Sequence, residues 1–240
     1  MCTLEKRGSL FILTLTSHDD EQHRLNPTLL SSILTAISKV NSQATVGSAL
    51  VTTAHGRFFC NGFDFRYAQA AGSQSEARIR LRRMSDSLRP VIAALFSLPM
   101  PTVAAVSGHA AAAGLILAMA HDYVLMRSDR GVLYMPEVDL GITVPDYFAA
   151  VVTAKIGPAM ALRDVLLRGM KVRAKEAVEM GIVNTAHDSE DGTVEAAMRM
   201  GEELARKKWV GDVYGEIRKR LYPQVCGVLC LTLQPIVSKI

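Results

Sequence analysis

From Val106 to Gly114 the chain reads Val-Ser-Gly-His-Ala-Ala-Ala-Ala-Gly, a run of very small residues between an apolar stretch and a helical one. Residues this small leave the space beside the backbone empty, so other backbone or a ligand can approach its N–H groups closely. The helix that follows, expected over about 114–121, opens with N–H groups that have no intrahelical partner and with a partial positive charge. Both suit a developing oxyanion. A second segment, Phe58-Phe59-Cys60-Asn61-Gly62-Phe63-Asp64, leads from an apolar entry through a glycine turn into another helix. A third, Tyr134-Met135-Pro136-Glu137-Val138-Asp139-Leu140-Gly141-Ile142, sets a carboxylate inside an otherwise apolar stretch.

Around these segments the hydrophobic pattern alternates between strand and helix. Residues 9–16 and 48–53 form short apolar runs that predict strands, as do Thr102 to Val106 and Tyr123 to Met126. Pro27 opens a stretch in which Leu29, Leu30, Ile33, Ile37 and Val40 fall at helical spacing, predicting a helix over 27–40. A further helix is expected over 76–97, with Pro90 bending or interrupting it. The recurrence of strand, turn and helix through residue 184 gives an α/β core. From about 193 the pattern is helical, clearest over Glu195 to Lys208. The expected division is a core over 1–185 and a C-terminal helical segment over 186–240 for docking or oligomerisation.

The 240 residues, 49% of them hydrophobic, suffice for one well-buried core. The net charge of +4 is too small to imply nucleic acid and suits an anionic small ligand. Four cysteines (Cys2, Cys60, Cys226 and Cys230) in a chain of this size do not suggest a disulfide framework. The spacing of Cys226 and Cys230 suggests two thiols on one helical face rather than a metal site, so a reducing compartment and no metal are expected. The start of the chain carries charges where a secretory leader needs an apolar core, and no apolar run is long enough to span a bilayer.

Taken together, the three segments suit proton abstraction next to a carbonyl. Two small-residue turns can aim two N–H donors at one thioester oxygen. A carboxylate in apolar surroundings has its pKa raised and becomes a usable base. Their order resembles the crotonase (enoyl-CoA hydratase/isomerase) family: an Asn-Gly-x-Asp turn, a Gly-x-Ala-x-x-x-Gly turn, then Pro-Glu-x-x-x-Gly, within a match running from about residue 9 to 185. The resemblance implies a spiral of ββα units, CoA thioester substrates, homotrimers or hexamers, and no cofactor beyond the CoA carried by the substrate. It also implies that the N–H groups of Phe63 and Ala113 form an oxyanion hole, that Glu137 moves the proton, and that Arg24, Asn61, Gly62, Asp64, Gly114 and Ile116 lie along the substrate. Asp64 also suits a helix N-cap, and Arg24 a contact with a CoA phosphate.

Hydratases of this family use two glutamates, one of them in the helix after the second turn. Here that helix reads Gly114-Leu115-Ile116-Leu117-Ala118, so Ile116 stands where the first glutamate would be and only Glu137 remains. An apolar side chain cannot hold or deprotonate water. The resemblance is therefore to the Δ3-Δ2-enoyl-CoA isomerase branch, in which one base shifts a proton from C2 to C4. Asp139 and Asp146 are the nearest other carboxylates, with capping or solvent exposure as their default roles. The alternatives are a hydratase or another enolate-forming crotonase, a silent acyl-CoA binder, and an RNA-binding member of the fold. The last is suggested by Arg78, Arg80, Arg82 and Arg83 and by Arg218, Lys219 and Arg220. His109 is expected to be structural. The last three residues, Ser238-Lys239-Ile240, resemble a Ser-Lys-Leu peroxisomal address; without it the expectation is cytoplasmic.

Overall fold

The computed structural model describes residues 1–16 and 21–235, so the C-terminal tripeptide lies outside the described residues. The chain opens with a hairpin, β1 (Cys2–Arg7) and β2 (Leu10–Leu15), paired antiparallel and turned at Gly8 with φ +59°. β2 is buried on both faces and matches the expected apolar strand. β1 was not expected as a strand: it is a sheet edge whose Glu5, Lys6 and Arg7 are exposed, and charged residues on an edge discourage pairing with another chain. α1 (Pro27–Ser42) follows, capped by the Asn26 side chain, which accepts from the Leu29 N–H at 2.9 Å.

Three turns of a spiral come next. The first carries β3 (Ala49–Ala54), β4 (Phe58–Cys60), α2 (Phe65–Gln69) and α3 (Gln74–Ser97). The second carries β5 (Thr102–Val106), β6 (His109–Ala111) and α4 (Ala113–Met119). The third carries β7 (Tyr123–Arg127), β8 (Leu133–Tyr134), α5 (Asp146–Lys155), α6 (Ala159–Leu166) and α7 (Ala174–Glu179), and it leads into β9 (Thr185–His187). Each turn gives its first strand to a six-stranded sheet ordered β1-β2-β3-β5-β7-β9 and its second to a three-stranded sheet ordered β4-β6-β8. Every pairing except β1 with β2 is parallel. Parallel strands need crossovers, and the helices between the strand pairs provide them.

α3 runs unbroken through Pro90. The missing N–H removes one hydrogen bond, but Leu88, Val91, Ile92, Leu95 and Phe96 are all buried around that point and hold the helix on the core. α8 (Glu190–Arg206) lies on the large sheet, where Ala196 and Ala197 pack against Val51, Val103, Ala105 and Leu125. Residue 185, the expected boundary, is the first residue of β9, and α8 beyond it packs on the strands of the core.

α9 (Gly211–Leu221) and α10 (Pro223–Val228) complete the described chain. Arg218 anchors α9: its guanidinium pairs with Asp122 at 2.6 Å and donates to the carbonyls of Leu98, at 2.6 Å, and Met100. Asp122 also accepts from the N–H of Thr102 and the hydroxyl of Tyr214. Lys219 and Arg220 both pair with Glu216. The C-terminal basic cluster is thus engaged within the molecule, Arg218 in the interior.

Candidate active site

The three segments picked out by their small residues and carboxylate are the ends of the three strands of the small sheet. β4 ends at Cys60 and runs into Asn61-Gly62-Phe63. β6 ends at Ala111 and runs into Ala112-Ala113. β8 ends at Tyr134 and runs into Pro136-Glu137. All three strands are parallel, so the three ends share one edge of the sheet. Neighbouring strands lie about 4.8 Å apart, which sets the outer ends roughly 10 Å from one another.

The first two ends touch through their backbones. A side chain on Gly62, which has φ +71°, would lie 3.1 Å from the Ala111 carbonyl oxygen and 3.7 Å from the Ala113 nitrogen. A Cβ on Gly114 would sit 2.2 Å from the Cys60 carbonyl oxygen, so only glycine permits α4 to start this close to β4. Between them Ala112 has φ +49° and ψ −123°, a strained conformation for a residue with a side chain. Its N–H donates to the Tyr134 carbonyl at 2.9 Å, which ties the second turn to the third strand. Among the described residues, the N–H groups of Phe63 and Ala113 donate to no protein group.

Glu137 leads a tight turn closed by bonds from the Leu140 N–H to the Pro136 carbonyl and from the Ile142 N–H to the Glu137 carbonyl, both 3.0 Å. Its side chain is 7% exposed, and Oε2 is buried without a hydrogen-bond partner. Burial pushes its carboxyl above the ordinary range, and its own backbone N–H offsets this only in part. The carboxylate lines a cavity of about 740 Å³, which Phe63, Ala111, Ala112 and Pro136 also line.

Residues 7–212 match the family described as enoyl-CoA hydratase/isomerase. The chain is 59% identical to an Arabidopsis thaliana protein named enoyl-CoA delta isomerase 2, peroxisomal, over 96% of each chain. It is 50% identical to enoyl-CoA delta isomerase 1, peroxisomal, of the same plant, over 94% of this chain and 91% of that one. The chain belongs to the enoyl-CoA hydratase/isomerase family. Among solved structures, an apo enoyl-CoA isomerase of Mycobacterium tuberculosis superposes with a TM-score of 0.82 at 20% identity, covering 95% of this chain and 94% of that one, which establishes the shared fold.

Within this family member, the residues expected along the substrate divide into two groups. Arg24 and Asn61 line the cavity and both donate to the side-chain oxygen of Gln22, at 2.6 and 2.7 Å. The Arg24 Nε is buried without a partner. Gly62 and Gly114 shape the turns as described. Asp64 caps α2, accepting from the Tyr67 N–H at 3.1 Å, and it does not line the cavity. Ile116 is fully buried in the main apolar cluster and does not line the cavity either, so the hydratase glutamate position holds a core side chain. Asp139 is exposed in the turn after Glu137, and Asp146, which pairs with the cavity-lining Arg89, does not itself line the cavity. His109 accepts from the Val132 N–H at 3.2 Å and packs on Phe58, a structural placement.

Much of the remaining cavity wall was not singled out in the sequence. One stripe of α3 contributes Arg78, Leu81, Arg82, Ser85, Asp86 and Arg89, spaced three and four residues apart. Leu140, Ile142, Val144 and Phe148 form an apolar wall. The Phe148 ring stacks on Phe63 at 6.2 Å between centroids. The spacing of Arg78 and Arg82 was visible in advance, but the cavity they face is made by distant elements. Arg80 turns away, donating to the Tyr67 carbonyl.

Proposed function

We propose that this chain is a Δ3-Δ2-enoyl-CoA isomerase that moves a double bond from C3 to C2 of a fatty enoyl-CoA, with Glu137 as its single base. The observation that carries the reading is the buried carboxylate of Glu137, its Oε2 without a partner, in a cavity shared with the Phe63 and Ala113 turns. Glu137 takes a proton from C2, and the C–H electrons delocalise into a dienolate. The dienolate oxygen accepts from the free N–H groups of Phe63 and Ala113. The same carboxyl returns the proton at C4, which leaves the double bond between C2 and C3. Losing one such donor typically costs about 100- to 1000-fold in rate. The near-full-length likeness to proteins named enoyl-CoA delta isomerase supports the same reaction.

The reaction so written draws on no cofactor and no metal. Arg24 and Asn61 serve the CoA side of the thioester, with Gly62, Asp64 and Gly114 holding the turns, and Ile116 leaves its position without a second glutamate. We assign the enzyme to unsaturated fatty acid β-oxidation in the peroxisome. Two relatives are named peroxisomal, and Ser238-Lys239-Ile240 has the form of the address. A homotrimer or hexamer, with the C-terminal helices contributing to subunit contacts, is part of the same proposal. No helix among the described residues is long and apolar enough to cross a membrane.

One observation favours a second reading. Asp86 also lines the cavity and supplies a second carboxylate there, as water addition would require. Incubating the protein with 3-hexenoyl-CoA and with 2-hexenoyl-CoA separates the two. Fast conjugation of the first, little hydration of the second, and collapse of conjugation in Glu137→Gln establish the isomerase. Dominant hydration that falls in Asp86→Asn overturns it in favour of a hydratase.

A further inference from the structure

The start of α5 forms part of the apolar wall, through Pro145 and Phe148, and inside the helix a side-chain bond at that start runs from the Tyr147 N–H to Asp146 Oδ1, at 2.7 Å. Its N-cap is Pro145, which makes no capping bond. The helix is gripped from α3 instead. Arg89 donates Nη2 to Asp146 Oδ1 at 2.5 Å and lays its guanidinium over the Tyr147 ring, 4.7 Å from the centroid. One turn earlier on α3, the Ser85 carbonyl accepts the Tyr147 hydroxyl at 2.8 Å. The next residue, Phe148, stacks on Phe63, whose N–H is one of the two proposed oxyanion donors. The other arm of Arg89 donates to the Val228 carbonyl at 2.7 Å, at the end of α10, where a helix has no partner of its own for that group.

We infer that Arg89 is a positioning residue for the reaction. Through Asp146 and Tyr147 it fixes the start of α5, and through the Phe148–Phe63 stack it sets both the apolar wall and one oxyanion donor. The inference rests on the proposed oxyanion role of Phe63. A guanidinium suits this junction, because its fork reaches a carboxylate and a carbonyl at once while its plane covers a ring. Lysine offers a point charge without the fork.

The test uses the full chain as wild type, Arg89→Met, Arg89→Lys and Asp146→Asn. Melting temperature, kcat and KM are measured with 3-hexenoyl-CoA and 3-dodecenoyl-CoA, and affinities with hexanoyl-CoA and dodecanoyl-CoA. A misplacement of about 1 Å costs on the order of 100-fold, so Arg89→Met is expected to lower kcat about tenfold or more on both substrates. It should also raise KM more for the twelve-carbon substrate than for the six-carbon one. Asp146→Asn should show the same pattern at smaller size, and Arg89→Lys should recover part of the loss. A lowered melting temperature with wild-type kcat and an unchanged chain-length ratio overturns the inference. Should Arg89→Met fail to fold, Asp146→Asn decides, since it keeps Arg89 on Tyr147 and Val228; wild-type kinetics there overturn it as well. Should wild type isomerise neither substrate, the proposed function falls by itself. A loss of dodecanoyl-CoA affinity in Arg89→Met and Asp146→Asn that exceeds the loss for hexanoyl-CoA then still supports the role of Arg89 in the wall, and unchanged affinities end it.

Discussion

The two sheets are wound from the same turns of chain, strand after strand, yet they are built on opposite terms. In the large sheet, β3, β5 and β7 are five or six residues long and carry Leu50, Val51, Val103, Val124, Leu125 and Met126, all buried. These side chains fill the layers on either side of it. In the small sheet, β4, β6 and β8 have two or three residues; Phe59, Cys60, Ala110 and Leu133 are buried in the main apolar cluster, but where the turns meet the strands the close approaches are made by backbone. A Cβ on Gly108 would lie 2.2 Å from the Arg57 carbonyl oxygen, as one on Gly114 would from that of Cys60. Side-chain packing gives the first sheet its stability. Glycine and alanine at the turns that end its strands leave the second its unpartnered N–H groups, at the cost of a strained Ala112 and a buried Glu137 whose Oε2 has no partner. Stability and the proposed chemistry thereby fall to different sheets of one spiral, and changes in each should register in different measurements.

The largest effect is expected from Glu137→Gln. General base catalysis contributes typically about 100- to 10,000-fold, and kcat for 3-hexenoyl-CoA should fall within that range. Thermal unfolding followed in parallel should show no loss of stability at neutral pH, because the substitution removes a buried charge without a partner. A variant that loses activity by unfolding would break the contrast between the sheets.

Gly114→Ala should come next. Its new methyl group meets backbone, which cannot swing aside, so α4 and β4 must separate and carry the Ala113 N–H with them. An overpacked site costs about 1–3 kcal/mol, and a shift of about 1 Å costs on the order of 100-fold in rate. Gly201→Ala is the matching change over the large sheet, where the added Cβ would meet the ends of Leu10 and Val51 at 3.0 and 3.2 Å. Those side chains can yield, and alanine is the better helix former by roughly 0.8–1 kcal/mol, so stability should change by less than about 1 kcal/mol and kcat should not move. Equal kinetic losses in the two variants would remove the difference between the sheets.

Arg218→Met tests the scaffold side. It strips a buried partner from Asp122 and unties the carbonyls of Leu98 and Met100 just before β5. Breaking a buried ion pair in this way costs about 3–5 kcal/mol, or a melting temperature lower by roughly 10 °C in a chain of this length. The folded fraction should keep wild-type kcat, as shown by assay well below the transition.

How much of this could be read in advance follows the same division. The three small-residue segments, α1 and β5 were legible, because local spacing and turn chemistry determine them; Thr102–Val106 is a strand with the bounds expected. The strand-end logic of the site was legible in outline for the same reason. β1 was not, since an edge strand rich in charge lacks the alternation that marks a buried one. Arg218 looked like part of a surface basic run, because only the packing of α9 reveals the carbonyls around it. Phe148 and Arg89 carry no local motif, and they acquire roles only where α3, α5 and α10 meet. Ile116 was placed correctly in the sequence of the helix, but not its burial: a seven-residue helix with every residue buried gives no clue to which side meets the cavity.

The smallest effect, and the one most specific to the small sheet, is a displaced acid limb in the pH profile. Burial raises the Glu137 pKa above its ordinary value of 4.5. A base must be ionised to act, so kcat/KM should fall with a one-proton slope as pH drops through that raised value. The same shift has a stability consequence of the opposite sense. A carboxyl whose folded pKa lies above its unfolded one favours the folded state fully below about 4.5, and this contribution is lost as pH rises through the folded value. Wild type should therefore be least stable relative to Glu137→Gln in the pH range where it is most active. Paired kcat/KM and unfolding measurements across the acid range check this. An acid limb at the ordinary carboxylate value, or no change in the stability difference with pH, would mean that Glu137 is solvated in the working enzyme and that the small sheet does not hold its base dry.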